Sequence, residues 1–236
     1  MNKNIKVIIA AAGTAGHINP GIAIANKIKS ENKNAEITFI GTTRGLENDL
    51  VPRAGYNLRV IDAYGINRKI SLQNIKNMIK TIKSFGQAAK IVKEIKPDIV
   101  IGTGGYICGP VLTAAVKNKI PTMLHESNAF PGVSVKLLSK KVNTVAVGFE
   151  DAVKRLPKAK HVVVTGNPTK INMCGNGIRP LQEIKQELRI KNDLPIVLVF
   201  GGSQGAKSIN ETLVKIIKEK LNSEYQIIWA ARTKAV

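Results

Sequence analysis

The chain has 236 residues, is 44% hydrophobic but only 4% aromatic, and carries 36 Lys+Arg against 16 Asp+Glu, a formal charge of +20. That length accommodates one large or two small domains with a real core, and the composition favours an aliphatic α/β interior. No stretch approaches the roughly 18–20 unbroken apolar residues of a spanning helix, the start lacks a signal-peptide pattern, and two distant cysteines, Cys108 and Cys174, imply neither a disulfide framework nor a zinc site.

In chain order, apolar runs predict strands at 5–11, 36–40, 57–61, 98–101, 122–124, 144–147, 161–165, 195–200 and 225–229, with helix-like segments filling most gaps. Continuous apolar strands alternating with helices predict parallel sheets covered on both faces. After the first strand comes Gly13-Thr14-Ala15-Gly16-His17, then an apolar helical stretch. A buried strand that turns through glycines into a helix N-terminus can cradle phosphate, because backbone N–H groups and the helix dipole both face the anion. The loop lacks a full dinucleotide fingerprint, since Ala11 and Gly13 stand at the first two glycine positions. The second strand ends in Gly41-Thr42-Thr43-Arg44 rather than in an acid for a ribose, so a nicotinamide cofactor is not expected. His17 is placed either as a general base at the mouth of the crevice or as a helix-start residue bonded to backbone.

Further along, Ile75, Ile79, Ile82 and Phe85 fall at helical spacing beside Lys76, Lys80 and Lys83. The stripe is either core-facing or an exposed patch for anionic lipid. Gly102-Thr103-Gly104-Gly105-Tyr106 follows the strand at 98–101 and offers either a second N–H cluster or close backbone packing. His125-Glu126-Ser127-Asn128 ends a strand where open α/β sheets bind ligands; Asn128 suits sugar hydroxyls, and His125 with Glu126 forms either part of that site or an internal contact. The texture loosens after Val147, with a boundary at Gly166-Asn167-Pro168. The first lobe is therefore expected over 1–165 and the second over 166–236, short of the about 120–150 residues usual for a complete lobe. In the second lobe Gly201-Gly202-Ser203-Gln204-Gly205-Ala206 repeats the strand–glycine–helix design. The charge excess is mostly lysine and accompanies abundant Ile and Asn, as codon bias would give. The aromatic platforms of a single-strand binder are missing, so nucleic acid is not expected as a partner, and an anionic membrane surface is the remaining candidate.

Together, Gly13 to His17, Gly41 to Glu47, Gly102 to Tyr106, His125 to Asn128, Gly166 to Pro168 and Gly201 to Gly205 resemble the MurG family of bacterial N-acetylglucosaminyltransferases across essentially the whole chain. The resemblance implies an α/β GT-B fold, two Rossmann-like lobes with parallel sheets, and an inverting reaction without metal or cofactor. UDP-N-acetylglucosamine (UDP-GlcNAc) would be the donor. Undecaprenyl-diphosphate-linked muramoyl-pentapeptide (lipid I) would be the acceptor, converted to lipid II at the cytoplasmic membrane face. By motif, His17 would be the base, and Gly13, Gly16, His17, Gly104, Gly105 and Tyr106 would hold acceptor diphosphate. Thr14, Ala15, Gly16, Asn128, Lys170, Ser203, Gln204 and Gly205 would contact the donor. The Ile75, Ile79, Ile82 and Phe85 stripe would meet anionic lipid. Ala12 and Ala15 add methyls to a loop usually richer in glycine, and Lys170 replaces a usual arginine, keeping charge without the bidentate fork.

The family's later donor motifs and its returning C-terminal helix should lie beyond residue 236, so the second lobe is expected to be incomplete and the chain truncated or frame-shifted. Two alternatives follow. One is an inactive fragment that binds only lipid diphosphate or anionic membrane, and the other is a different nucleotide-sugar glycolipid glycosyltransferase of the GT-B class.

Overall fold

A computed structural model describes residues 4–65, 72–169, 180–190, 194–202 and 205–231, leaving aside the side chains of 72–79. The chain divides into two compact units, Met1–Ile171 and Asn172–Val236.

The first unit alternates β1 (Lys6–Ala11), α1 (Ala15–Glu31), β2 (Glu36–Gly41), α2 (Glu47–Arg53), β3 (Asn57–Val60), α3 (Leu72–Ile95), β4 (Ile99–Gly104), α4 (Cys108–Lys117), β5 (Thr122–Glu126), α5 (Val133–Ser139), β6 (Thr144–Val147), α6 (Glu150–Val153) and β7 (Val162–Val164). Its seven strands form one sheet in the order β3-β2-β1-β4-β5-β6-β7, and every pairing is parallel. β1 is wholly apolar after Lys6 because both its faces are covered. Val7, Ile9 and Ala11 pack with Ile18 and Ile22 of α1 and Val51 of α2. Ile8 and Ala10 pack with Ile91 and Val92 of α3 and Val111 and Leu112 of α4. Each buried Val or Ile there is worth about 1.5–3 kcal/mol relative to exposure, which makes β1 the anchor of the fold.

α3 carries two apolar stripes, and the core takes the one of smaller residues. Ser84, Ala88, Ile91 and Val92 are buried, whereas Ile82 is 64% and Phe85 40% exposed. The core-facing alternative for the 75–85 stripe therefore fails at Ile82 and Phe85. Ile75 and Ile79 lie outside the residues whose side chains are described.

The second unit holds α7 (Leu181–Glu187), β8 (Ile196–Phe200), α8 (Lys207–Lys218) and β9 (Gln226–Ala230). β8 and β9 pair in parallel, and Trp229 Nε1 donates to Asn210 Oδ1 of α8 at 3.3 Å. β8 is apolar throughout yet open to solvent: Leu198 is 59% and Phe200 63% exposed. A parallel strand pattern normally belongs to a sheet covered on both faces.

Candidate functional site

The strand order reverses between β1 and β4, the switch point where open α/β sheets form a crevice at their carboxyl edge. Four predicted residues meet there. Thr14 is the N-cap of α1 without a side-chain cap bond, so the amides of Ala15 and Gly16 in the first turn have no acceptor within the helix. His17 follows, and its Nδ1 lies 3.1 Å from the carbonyl oxygen of Ala12. A carbonyl only accepts, so Nδ1 is the donor in this bond. The helix-start alternative for His17 therefore has its backbone bond, and Nε2 is left without a hydrogen bond among the described residues.

The strand β4 runs through Gly104, three residues past the predicted end, and explains why glycines are needed here. The β1–β4 register slips between Ala10 and Ala11, so Gly102 pairs with Ala10 and Gly104 with Ala11, with Thr103 bulged between. The bulge aims Thr103 Oγ1 at the backbone carbonyl of His17, to which it donates at 2.8 Å. Gly104 has φ +126°, and a Cβ there would sit 2.3 Å from His17 Cδ2. Gly105, with φ +81°, would drive a Cβ to 2.6 Å from the Ala12 oxygen. These glycines seat the imidazole ring and its anchor. The Gly104 amide also points at Cys108 Sγ, 3.4 Å away, so the packing explanation holds for this residue. Burial pushes the Cys108 thiol up to about 12, against bonds from the Gly104 and Thr103 backbone.

Glu47, which closes the Gly41 to Glu47 motif, organises the loop. It is fully buried at the start of α2. Its Oε1 accepts the Thr42 N–H and hydroxyl, both at 2.8 Å, and its Oε2 accepts the Gly13 N–H at 2.9 Å. Three converging donors suit a carboxylate, which can only accept. Room for it comes from two glycines: a Cβ on Gly41 would lie 2.5 Å from Glu47 Cγ, and one on Gly45 would overlap its carboxylate. The Gly13 amide, expected to face a diphosphate, is thus turned inward. Gly13 still needs its φ of +95°, and the space over its Cα is open.

Two strands from β1, the end of β5 forms a second polar cluster. His125 and Glu126 are buried, which supports an internal contact for both. Glu126 Oε1 accepts both the N–H and the Nδ2 of Asn128 at 2.8 Å, and its Oε2 accepts the Gly132 N–H at 3.1 Å. Asn128 is exposed, and its side-chain amide nitrogen is tied to Glu126. His125 Nε2 lies 3.5 Å from the Gly166 carbonyl and Nδ1 3.4 Å from Ser127 Oγ. Desolvation lowers the His125 pKa, opposed by the Gly166 carbonyl and the Glu126 carboxylate.

Tyr106 precedes α4 and packs beside Gly65, where a built Cβ would be 3.4 Å from its ring. In the second unit Gly202 and Gly205 adopt φ of +71° and +75° at the start of α8, as a tight strand–helix turn requires. Lys170, Ser203 and Gln204 lie outside the described residues. Among the described residues no group of three or more His, Cys, Asp or Glu could hold a metal ion, and no helix is long and apolar enough to cross a membrane.

A doubly wound parallel sheet followed by a second strand–glycine–helix unit is the architecture of the GT-B fold. The chain belongs to glycosyltransferase family 28, whose N-terminal domain model matches residues 7–147. Among similar proteins is the UDP-N-acetylglucosamine--N-acetylmuramyl-(pentapeptide) pyrophosphoryl-undecaprenol N-acetylglucosamine transferase of Ruminiclostridium cellulolyticum. It is 47% identical over 226 residues, covering 96% of this chain and 61% of the relative. The protein of the same name from Clostridioides difficile is 43% identical over 228 residues, covering 96% and 55%. The crystal structure of Acinetobacter baumannii MurG superposes with a TM-score of 0.67 at 27% identity, over 98% of this chain and 62% of that one. A putative UDP-N-acetylglucosamine 2-epimerase from Listeria monocytogenes, at 13% identity and a TM-score of 0.64, shares the fold alone. The chain spans about three fifths of the length of the curated relatives it matches.

Proposed function

We propose that this chain carries the acceptor lobe, and the beginning of the donor lobe, of an enzyme that transfers N-acetylglucosamine from UDP-GlcNAc to lipid I, forming lipid II. The observation that carries this reading is His17: its tautomer is fixed by Ala12 and its ring is seated on Gly104, at the switch point of a family 28 lobe. In the reaction the muramoyl C4 oxygen forms a bond to the anomeric carbon from the face opposite UDP. Its proton passes to His17 Nε2, the bond to the UDP oxygen breaks, and that oxygen keeps the electron pair, inverting the centre.

Gly16, Gly104, Gly105 and Tyr106 line the acceptor diphosphate, and Gly13 shapes the loop. Thr14, Ala15 and Gly16 face the donor sugar, and Asn128 offers its Oδ1 to it. Lys170, Ser203, Gln204 and Gly205 take the UDP diphosphate, whose growing charge the amides at the start of α8 stabilise without a metal or a cofactor. The exposed Ile82 and Phe85 continue the Ile75 and Ile79 stripe against anionic lipid on the cytoplasmic membrane face, and nucleic acid is not a partner.

The test is transfer of labelled N-acetylglucosamine from UDP-GlcNAc to a short-chain lipid I analogue, by the chain and by its His17→Ala variant. Turnover that requires His17 supports the reading. Turnover that survives His17→Ala sinks the assignment of the base. A folded chain that binds the acceptor without turnover is the binding fragment instead.

A further inference from the structure

Five arginines lie among the described residues, Arg44, Arg53, Arg59, Arg155 and Arg189, and two of them, Arg44 and Arg189, have no carboxylate within ion-pair distance there. Arg53, Arg59 and Arg155 each have a carboxylate within ion-pair distance, at Asp49, Glu94 and Asp151. Arg44, exposed at the carboxyl end of β2, has none among the described residues. It is instead held in place without being neutralised. Its guanidinium carbon lies 3.5 Å from the ring centroid of Tyr64, and Nη2 donates to the Ala63 carbonyl at 2.9 Å. One of its five N–H donors is used among the described residues.

A second cation shares the same ring. Lys80 Nζ donates to the Tyr64 hydroxyl at 3.2 Å and lies 5.2 Å from the ring centroid, again with no carboxylate partner among the described residues. Tyr64 is itself pinned: its N–H donates to Thr81 Oγ1 at 3.1 Å, and that hydroxyl donates back to the Tyr64 carbonyl at 3.2 Å. The next residue, Gly65, packs against Tyr106. The pair thus sits between two features. On one side is the crevice edge carrying Tyr106 and His17. On the other is the exposed part of α3, where Ile82 and Phe85 follow Lys80.

We propose that Arg44 and Lys80, braced on Tyr64, form a two-cation clamp for a phosphate of a lipid-linked diphosphate. Two uncompensated cations at fixed positions suit a multiply charged oxyanion, to which Arg offers a planar fork and Lys a point charge. The place suits a lipid-linked one, because the polar group enters the crevice while its chain lies along the apolar edge of α3. This rests on the acceptor-lobe reading.

Phosphate could also come from a bilayer headgroup, so the test has two arms. Binding of farnesyl diphosphate is measured by calorimetry, and binding to vesicles of phosphatidylglycerol in phosphatidylcholine by sedimentation. Wild type is compared with Arg44→Ala, Arg44→Lys, Lys80→Ala and Tyr64→Phe, each checked for an unchanged melt. Arg44→Ala is expected to weaken the diphosphate about tenfold, the scale of one charge-assisted contact, with Arg44→Lys partly restoring it and vesicle binding nearly unchanged. Diphosphate binding that ignores Arg44 and Lys80 overturns the clamp and leaves the acceptor lobe standing. Loss of vesicle binding with diphosphate binding intact makes it a headgroup site and also overturns it. No diphosphate binding by wild type removes both the clamp and the acceptor reading.

Discussion

Glu47→Gln is the sharpest probe of how the first glycine loop is held. The amide is nearly the shape of the carboxylate, so the change removes acceptors and charge without opening a cavity. Glu47 Oε1 serves two donors from Thr42 and Oε2 serves one from Gly13. The cheaper amide orientation keeps its oxygen on Thr42 and turns NH2 toward the Gly13 N–H, so that two donors face each other in a buried space. The orphaned donor costs about 1–3 kcal/mol, and the weakening of the two Thr42 bonds from charge-assisted to neutral adds about 0.5–1 kcal/mol. A total of roughly 2–4 kcal/mol corresponds to a fall of about 5–15 °C in melting temperature for a unit of this size. The assay is a thermal melt of the whole chain by circular dichroism, with amide exchange at Gly13 and Thr42 read by NMR. A melt within one or two degrees of wild type, with Gly13 still protected, would refute the role given to this carboxylate.

Gly104→Ala and Gly16→Ala should part company. The first places a methyl 2.3 Å from His17 Cδ2 at a φ of +126° and is expected to cost at least about 1–3 kcal/mol in a melt and to abolish transfer. The second meets nothing closer than Thr14 Oγ1 at 3.7 Å, so a melt should show no loss of stability, while binding of farnesyl diphosphate weakens if backbone there approaches phosphate. For pH, desolvation holds the folded His125 below the ordinary imidazole value of about 6.5. The unfolded chain therefore takes up a proton that the folded chain refuses, and stability falls as pH drops below about 6.5 until the folded pKa is reached. Urea midpoints from pH 7.5 to 5.5 should show that slope, and His125→Gln should flatten it; an unchanged slope would count against the burial argument. Cys108, buried with its thiol pushed up to about 12, should react with a disulfide reagent at pH 8 only after denaturation, as peptide mapping of the labelled chain can tell.

Most of the fold was legible because burial on both faces leaves a simple trace. All nine apolar runs became strands, with ends matching to within three residues and the run at 144–147 matching at both ends. The largest shift is at β4, where Gly102 and Gly104 look like a loop by composition. The strand continues because Leu112 Cδ1 and Cys108 Sγ stand 2.8 Å and 3.0 Å from where a Gly102 Cβ would be, so only glycine lets α4 lie this close. The stripe on α3 was ambiguous for a different reason. Spacing finds apolar faces but not which one is covered, and the core chose the face of Ser84 and Ala88, where small side chains admit a neighbour.

The site was legible in its members but not in their division of labour. A glycine in a strand–helix turn has three possible reasons to be there: a left-handed φ, room for a ligand, or room for a neighbouring side chain. The sequence shows the glycine and hides the reason. Here Gly41 and Gly45 make room for Glu47, Gly104 for His17 and Gly105 for the Ala12 carbonyl, while Gly13 and Gly16 face open space. So Gly41, Gly45, Gly104 and Gly105 are required by a neighbouring side chain or carbonyl whatever else they do, whereas at Gly13 and Gly16 the space over Cα is open or nearly so. That division could have been found from one signal: a glutamate fixed at the start of a short helix, with glycines two and six residues before it, is a buried acid with its cavity written beside it. Glu47 and His17 then belong to one construction, since Gly13 bonds to Glu47 and Ala12, its neighbour, bonds to His17. Loosening Glu47 should therefore reach the His17 ring through two residues of backbone. Glu47→Gln is expected to lower transfer beyond its effect on stability, as the loop that carries the Ala12 bond to Nδ1 loosens. Transfer by the folded variant equal to wild type would separate the two and confine Glu47 to folding.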